Sequence, residues 1–220
     1  AMQDLDIRGA GNLLGAEQSG FIADLGYETY QRILNEAVEE LKNEMHLDTI
    51  EDNRKTENEK WCQDSQLESD LQLGFPSDYI ENISERITLY RELDNLKNED
   101  ELTAYRKRLI DRFGNLPEAA DELLNVVRLR WICCELGIEK VFLKQERLVL
   151  YFTTKSNKYW HSETFDKFLR YVCSRADRCQ FHEDKDKQGQ PTGKRHITIQ
   201  QVKTLAGAIN LLTKIKTQQI

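Results

Sequence analysis

The spacing of apolar residues changes once in this sequence, near Gly137, and that change restricts the fold more than any other feature. Between residues 77 and 137 the apolar residues recur at helical spacing. After Gly137 they fall into short runs typical of strands, with helical stretches between the runs. We therefore predict an α+β fold, in which a three-helix unit is followed by a ββαββα unit whose antiparallel sheet is covered by helices.

Capping residues, a proline and glycines mark the ends of the three helices. The first helix is expected to start at Ser77 or Asp78. The second starts at Asn98, with Glu101 three residues later, and ends at Gly114. The third starts at Pro117 and ends at Gly137. Asn98 and Glu101 have capping-box spacing, and the glycines are typical helix stops. Connections this short predict antiparallel neighbours.

The region before residue 77 divides into a helical segment and an extended connection. An apolar stripe from Tyr27 onward predicts an amphipathic helix over residues 27–45. Residues 46–76 lose that period, although a weak alternation over 66–73 indicates an edge strand. We therefore predict an N-terminal segment at 1–45, a linker at 46–76 and a domain at 77–220.

Two strand pairs and two helices are predicted after Gly137. The first pair is 141–143 and 148–152, joined by a turn that lacks the Asn-Gly signature. A helix through Phe165, Phe168 and Cys173 follows, with Cys173 on its apolar face. The second pair is 178–182 and 196–200, and a helix from Val202 to Ile215 ends the pattern.

Composition excludes several classes of protein. No window approaches eighteen consecutive apolar residues, so we expect no membrane span, and the first residues do not resemble a secretory signal. Five cysteines, an odd number without a regular framework, indicate reduced thiols in a cytoplasmic protein. A metal site could use Cys173, Cys179 and His182 with His196 or His161, but the spacing of a structural zinc site is missing, which favours buried free thiols.

No motif in the sequence assembles an active site. Walker A, Gly-x-Ser-x-Gly and His-Glu-x-x-His patterns are all missing, and paired carboxylates such as Glu39 and Glu40 fall on solvent faces of helices. We therefore predict a chain that is not itself an enzyme and that holds no metal or cofactor.

Charge is distributed unevenly along the chain. The net charge is −7 at pH 7, whereas residues 140–220 carry sixteen basic and seven acidic side chains, or +9. This basic third supports an alternative function as a DNA-binding module. Its candidate contacts are Lys140, Lys144, Arg147, Lys155, Lys158, Lys167, Arg170, Arg175 and Arg178. Asp184 and Asp186 interrupt the basic face.

The first twenty residues carry a motif of high specificity. Residues 4–15 (DLDIRGAGNLLG) and 17–20 (EQSG) resemble the translocation motif shared by RecG-type branch-migration helicases and bacterial transcription-repair coupling factors. Residues 27–44, 109–117 and 128–138 resemble the coupling factors specifically. The resemblance is strongest at 4–44 and 85–138 and weak beyond residue 140.

This resemblance implies that the chain is the C-terminal part of an ATP-dependent DNA translocase. ATP and Mg²⁺ would then be bound by domains that precede it. In the family the translocation motif couples ATP hydrolysis to movement on duplex DNA, and its arginine and glutamine correspond to Arg8 and Gln18. From the residues alone, Arg8 could equally pair with a carboxylate of a hairpin.

The resemblance also implies a regulatory role for the domain from residue 77. In the family this domain docks on an N-terminal module similar to UvrB and masks the surface that recruits UvrA, until the motor engages stalled RNA polymerase. Asp111 and Arg112 are the candidate docking residues, and an ion pair within the domain is the alternative for them. Arg108 stands where the family pattern has an acidic residue, so the contacts could be rearranged.

Overall fold

The computed structural model describes residues 26–45, 61–154 and 156–218. In chain order the elements are α1 (Tyr27–Met45), β1 (Gln66–Ser69), α2 (Ile83–Asp94), α3 (Glu99–Phe113), α4 (Glu118–Leu136), β2 (Ile138–Lys144), β3 (Arg147–Phe152), a 3₁₀ turn (Asn157–His161), α5 (Glu163–Ser174), β4 (Cys179–Lys185), β5 (Pro191–Gln200) and α6 (Leu205–Thr217). The α+β class predicted from the sequence is confirmed.

The capping residues place the helices almost where the sequence predicts them. The amide of Glu101 donates to the side chain of Asn98 over 2.9 Å, and the Glu101 carboxylate accepts from the Lys97 amide over 2.8 Å. Helix α4 ends at Gly137, which adopts a left-handed conformation with φ of 73°. These local contacts satisfy backbone groups that a helix end would otherwise leave unpaired.

Helix α2 begins later than predicted. Asn82, rather than Ser77 or Asp78, caps it and accepts from the Glu85 amide over 3.2 Å. The amides of Tyr79 and Ile80 instead donate to the carbonyl of Pro76 and form a separate turn. Ile80 remains 2% exposed, because this turn still directs its side chain into the core.

The sheet has five strands in the order β1-β2-β3-β5-β4. Four of them form the two antiparallel hairpins that the sequence predicts, and β1 is an edge strand as expected. However, β1 pairs parallel to β2, with Gln66 opposite Lys140 and Ser69 opposite Leu143, so the sheet is mixed rather than purely antiparallel. The parallel direction requires a long connection, and α2, α3 and α4 provide it between β1 and β2.

Helices cover one face of the sheet. The side chains of Val141, Leu150 and Ile199 point to this face and are at most 1% exposed, together with residues of α4, α5 and α6. Tyr27 and Phe75 belong to the same hydrophobic core, so the core continues from α1 through the three-helix unit to the sheet. The opposite face of the sheet carries partly exposed side chains, including Phe142 and Tyr151.

Helix α5 buries a different stripe from the predicted one. Phe165, Phe168 and Tyr171 face the core, whereas Leu169 is 37% exposed and Cys173 is also exposed. The prediction that Cys173 lies on the apolar face was therefore wrong. The three aromatic rings occur at a spacing of three residues, and burying them turns Cys173 toward solvent.

Candidate interdomain interface

The two residues assigned to translocation coupling, Arg8 and Gln18, lie outside the described residues. Their role therefore stays a prediction. The other two candidate residues, Asp111 and Arg112, lie in the last turn of α3, and both are exposed.

Arg112 forms an ion pair inside the domain. Its guanidinium contacts the carboxylate of Glu85 on α2 and lies 5.0 Å from the ring centre of Phe113. Asp111 makes no side-chain hydrogen bond or ion pair with any other residue that the structure describes. The two neighbours thus differ, because Arg112 is held against α2 while the Asp111 carboxylate remains accessible.

Further ion pairs join the helices of this unit. Arg108 lies 2.5 Å from Glu92, Arg106 lies 3.0 Å from Asp121, and Arg128 lies 2.5 Å from Glu99. Each pair includes an exposed partner, so each contributes at most about 1 kcal/mol to stability. The Arg108–Glu92 pair joins α3 to α2 on the surface that carries Asp111, whereas the pairs of Arg106 and Arg128 join α3 to α4. We call this surface, formed by α2 and α3 around Glu85, Glu92, Arg108, Asp111 and Arg112, the charged edge.

A polar cluster, largely buried at Arg130 and Asp94 and half exposed at Asp64, connects α1 to the body of the domain. One Nη atom of Arg130 on α4 lies 2.6 Å from Asp94 on α2 and 2.5 Å from the Tyr27 hydroxyl, and the other lies 2.7 Å from Asp64. The side chains of Arg130 and Asp94 are only 17% and 15% exposed. We call Tyr27, Gln31, Asp64, Asp94 and Arg130 the Arg130 node.

Tyr27 takes part in the node as a neutral hydroxyl. The Tyr27 hydroxyl donates to Asp94 over 2.5 Å, while Gln31 donates to both of these residues. Burial raises the pKa of Tyr27 well above 10, although the charge of Arg130 opposes this effect. Tyr27 is therefore a neutral hydrogen-bond donor at physiological pH, and the charge of Asp94 is balanced by Arg130.

Aromatic rings pack directly beside the node. Tyr27, Tyr30 and Phe75 surround the ring of Tyr90, with centroid distances of 5.1–5.6 Å to Tyr90. The Tyr90 hydroxyl accepts a hydrogen bond from the Phe75 amide over 3.0 Å. Beyond its first turn, which holds Tyr27 and Tyr30, α1 is less covered by the rest of the protein, since Leu34 and Val38 are 41% and 40% exposed.

Many cations of the basic third are paired within the chain. Glu68 on β1 lies 2.6 Å from Lys140 and 3.2 Å from Lys144, and Lys167 lies 3.3 Å from Glu163. Lys216 pairs similarly with Glu135 over 2.6 Å. The local excess of positive charge along the sequence is therefore partly balanced by acidic residues in space.

The residues weighed as metal ligands do not converge. Over the parts of the chain that the structure describes, no group of three or more His, Cys, Asp or Glu side chains has a metal-binding arrangement. Cys179 is buried and Cys173 is exposed, while His182 stacks on His196 at a centroid distance of 4.9 Å.

In the same described parts, no helix is both long and apolar enough to cross a membrane.

Comparison with known proteins identifies the family of the region that carries the charged edge. Residues 69–161 match the family described as "TRCF domain". This range includes α2, α3 and α4, with Asp94, Asp111, Arg112 and Arg130. The chain carries a TRCF domain.

Relatives of the chain bear the name transcription-repair-coupling factor. The protein from Escherichia coli K12 is 36% identical over 159 residues, which are 71% of this chain and 13% of that protein. The protein from Rickettsia typhi is 33% identical over 172 residues, or 78% of this chain and 14% of that protein. The chain thus spans about one seventh of the length of these relatives.

A solved structure has the same fold as much of this chain. The crystal structure of a C-terminal domain of transcription-repair coupling factor superposes with a TM-score of 0.51. The superposition covers 72% of this chain and 99% of the solved chain, and the two sequences are 16% identical. At that identity the likeness concerns the fold alone.

The Arg130 node was not found by sequence reasoning. Tyr27 lies on the predicted apolar stripe, but nothing nearby in sequence indicates that it meets Asp94 and Arg130. These partners are 67 and 103 residues away. Asp64, Gln31 and Tyr27 also precede the matched TRCF region, so the node links that domain to the chain before it.

Proposed function

We propose that this chain is a non-catalytic regulatory part of a transcription-repair coupling factor. The TRCF domain docks reversibly on a UvrB-like N-terminal module of the same protein and masks the surface that recruits UvrA. The residues before α1 couple ATP hydrolysis to translocation through Arg8 and Gln18. ATP and Mg²⁺ are bound by other domains of the protein, which acts in the cytoplasm on duplex DNA and stalled RNA polymerase.

The observation that carries this proposal is the charged edge within the TRCF domain. Asp111 is exposed and Arg112 is held beside it by Glu85, so the surface presents charges in fixed positions. Charged groups of this kind provide orientation and specificity more than affinity. Such an interface suits masking, because a masked state that must open on a signal requires only a small free-energy difference.

The Arg130 node supports the transmission of a displacement of α1 to the TRCF domain. Because Arg130 bonds α1 to α2 and α4, displacement of α1 acts directly on the helices that carry the charged edge. A motor that moves the residues before α1 would therefore act on the orientation of the docking surface.

Charge reversal at the charged edge tests the docking role. In the full-length protein, Asp111→Lys should weaken docking, so UvrA binding should rise about tenfold while ATPase activity is retained. Arg106→Glu is a matched control for Arg112→Glu, because both arginines lie on α3 and pair with an acidic residue of a neighbouring helix. UvrA binding that is equal in Asp111→Lys, Arg112→Glu and Arg106→Glu would contradict the proposal.

A further inference from the structure

A shallow depression lies at the start of β5, away from the charged edge. It has a volume of about 300 Å³ and is lined by Thr154, Asn157, Trp160, Thr192, Gly193 and Arg195. Thr154 comes from the connection after β3, Asn157 and Trp160 come from the 3₁₀ turn, and the other three lie on β5. The wall therefore combines two hydroxyls, an amide, an indole, a glycine backbone and one guanidinium, without a carboxylate.

The guanidinium of Arg195 is held in a defined orientation. Its carbon lies 4.5 Å from the ring centre of Trp160, and its Nε donates to Glu183 over 3.0 Å. Within the described residues, neither terminal amino group of Arg195 makes a hydrogen bond. An arginine oriented by ring stacking and one ion pair loses little conformational entropy when its remaining donors bind a ligand.

The backbone of the depression is open at Gly193. This residue has a φ of 75°, and a Cβ built on it would meet no heavy atom within 4 Å. A ligand can therefore approach the main chain there. Lys158 and Lys194, which neighbour the lining residues in sequence, are exposed.

We propose that this depression binds a phosphate group. Its lining offers guanidinium and amide donors, and a guanidinium matches the geometry of phosphate oxygens. Arg195 also pairs with a carboxylate, as Lys140, Lys144 and Lys167 do, but within the described residues its two terminal amino groups remain available to a ligand. The phosphate can belong to a nucleic-acid strand or to a free phosphate compound, and this site is independent of the docking role of the charged edge.

Titration of this chain with inorganic phosphate tests the site directly. The Asn157 side-chain amide, the Gly193 amide and the Trp160 indole N–H should shift in NMR spectra, with a Kd of about 1–10 mM. Arg195→Gln should raise the Kd about tenfold, since it removes a charge-assisted contact. Arg147→Gln, the same change at an exposed arginine on β3, should alter the Kd by less than about twofold.

A second variant separates ligand binding from damage to the fold. Glu183→Gln removes the negative charge beside Arg195 but keeps a side-chain oxygen that can accept from its Nε, so the guanidinium stays oriented and phosphate binding should be unchanged or tighter. The proposal is overturned if phosphate causes no shifts at these groups, if Arg195→Gln behaves like Arg147→Gln, or if Glu183→Gln weakens binding as much as Arg195→Gln.

Labelled oligonucleotides distinguish the source of the phosphate. If a single strand or a duplex of about 20 nucleotides binds, competes with inorganic phosphate and loses affinity in Arg195→Gln, the ligand is a nucleic-acid backbone. If inorganic phosphate or pyrophosphate binds at this site without competition from either oligonucleotide, the ligand is a free phosphate compound. Both outcomes support the site.

Discussion

At the scale of single residues, Gly137 is the glycine, among those that the structure describes, at which an added Cβ would meet its neighbour most closely. It ends α4 in a left-handed conformation, and a Cβ there would lie 2.4 Å from Cε2 of Tyr159. Tyr159 has little room to move, because it is fully buried and its hydroxyl donates to the Leu136 carbonyl over 2.6 Å.

Gly137→Ala should therefore lower the free energy of unfolding by about 3 kcal/mol, through backbone strain and steric overlap together. Gly189→Ala is the control, since that glycine also has a positive φ but a Cβ added to it would meet no heavy atom within 4 Å. Gly189→Ala should lower the free energy of unfolding by only about 1 kcal/mol. Urea unfolding measures both values, and equal losses would show that Tyr159 accommodates the methyl group.

We expect His196 to make the free energy of unfolding depend on pH. It stacks between Tyr151 and His182 on the face of the sheet opposite the helices, and its Nδ1 lies 3.0 Å from Asp184. Burial lowers the pKa of His196 below its ordinary value of 6.5, although Asp184 opposes this shift. The folded state thus takes up this proton less readily than the unfolded state does.

The free energy of unfolding should therefore fall as the pH falls through about 6.5, because protonation then favours the unfolded chain. His196→Asn should flatten this dependence between about pH 7.5 and 5. His161→Asn changes an exposed histidine and should leave the slope as it is. Identical slopes for His196→Asn and the unchanged protein would contradict the assignment.

At the scale of elements, the turn between β2 and β3 uses residues that its geometry disfavours. Gln145 and Glu146 have φ values of 52° and 57°, whereas two-residue turns of this kind prefer Asn-Gly. Contacts from outside the hairpin stabilise it, because the Gln145 amide donates to Asp70 and the Val202 amide donates to the Glu146 carbonyl, each over 2.9 Å.

Replacing Gln145-Glu146 by Asn-Gly should raise the free energy of unfolding by about 1 kcal/mol. The change also removes an exposed ion pair between Glu146 and Lys203, 3.2 Å apart. The comparison is therefore made in a Lys203→Ala background, where that pair is already lost. A triple variant that is no more stable than Lys203→Ala alone would show that the outside contacts already remove the strain.

The elements that sequence reasoning predicts well are those determined by neighbouring residues. Asn98, Glu101 and Gly137 act within one helical turn, so their patterns locate α3 and α4. The parallel pairing of β1 depends on β2, about seventy residues later, and no local pattern indicates its direction. Asp111 and Arg112 were predicted as candidates through resemblance, whereas the pairing of Arg112 with Glu85 required the structure.

At the scale of the whole molecule, the Arg130 node joins regions that are far apart in sequence. It connects α1, the segment before β1, α2 and α4 through one guanidinium. Removing one partner of a buried ion pair leaves an uncompensated charge, which costs about 3–5 kcal/mol. The integrity of the contact between α1 and the TRCF domain should therefore depend on Arg130.

Arg130→Met should lower the free energy of unfolding by about 3 kcal/mol and expose the amides of α1 to hydrogen exchange before those of α4. Arg128→Met is a matched control, because Arg128 lies on the same helix but pairs with Glu99, whose side chain is 55% exposed. That change should cost about 1 kcal/mol or less. Equal losses in the two variants, with α1 protected in both, would mean that the aromatic packing of Tyr27, Tyr30 and Phe75 around Tyr90 suffices to hold α1. Loss of protection confined to Arg130→Met would show instead that the node holds α1 on the TRCF domain.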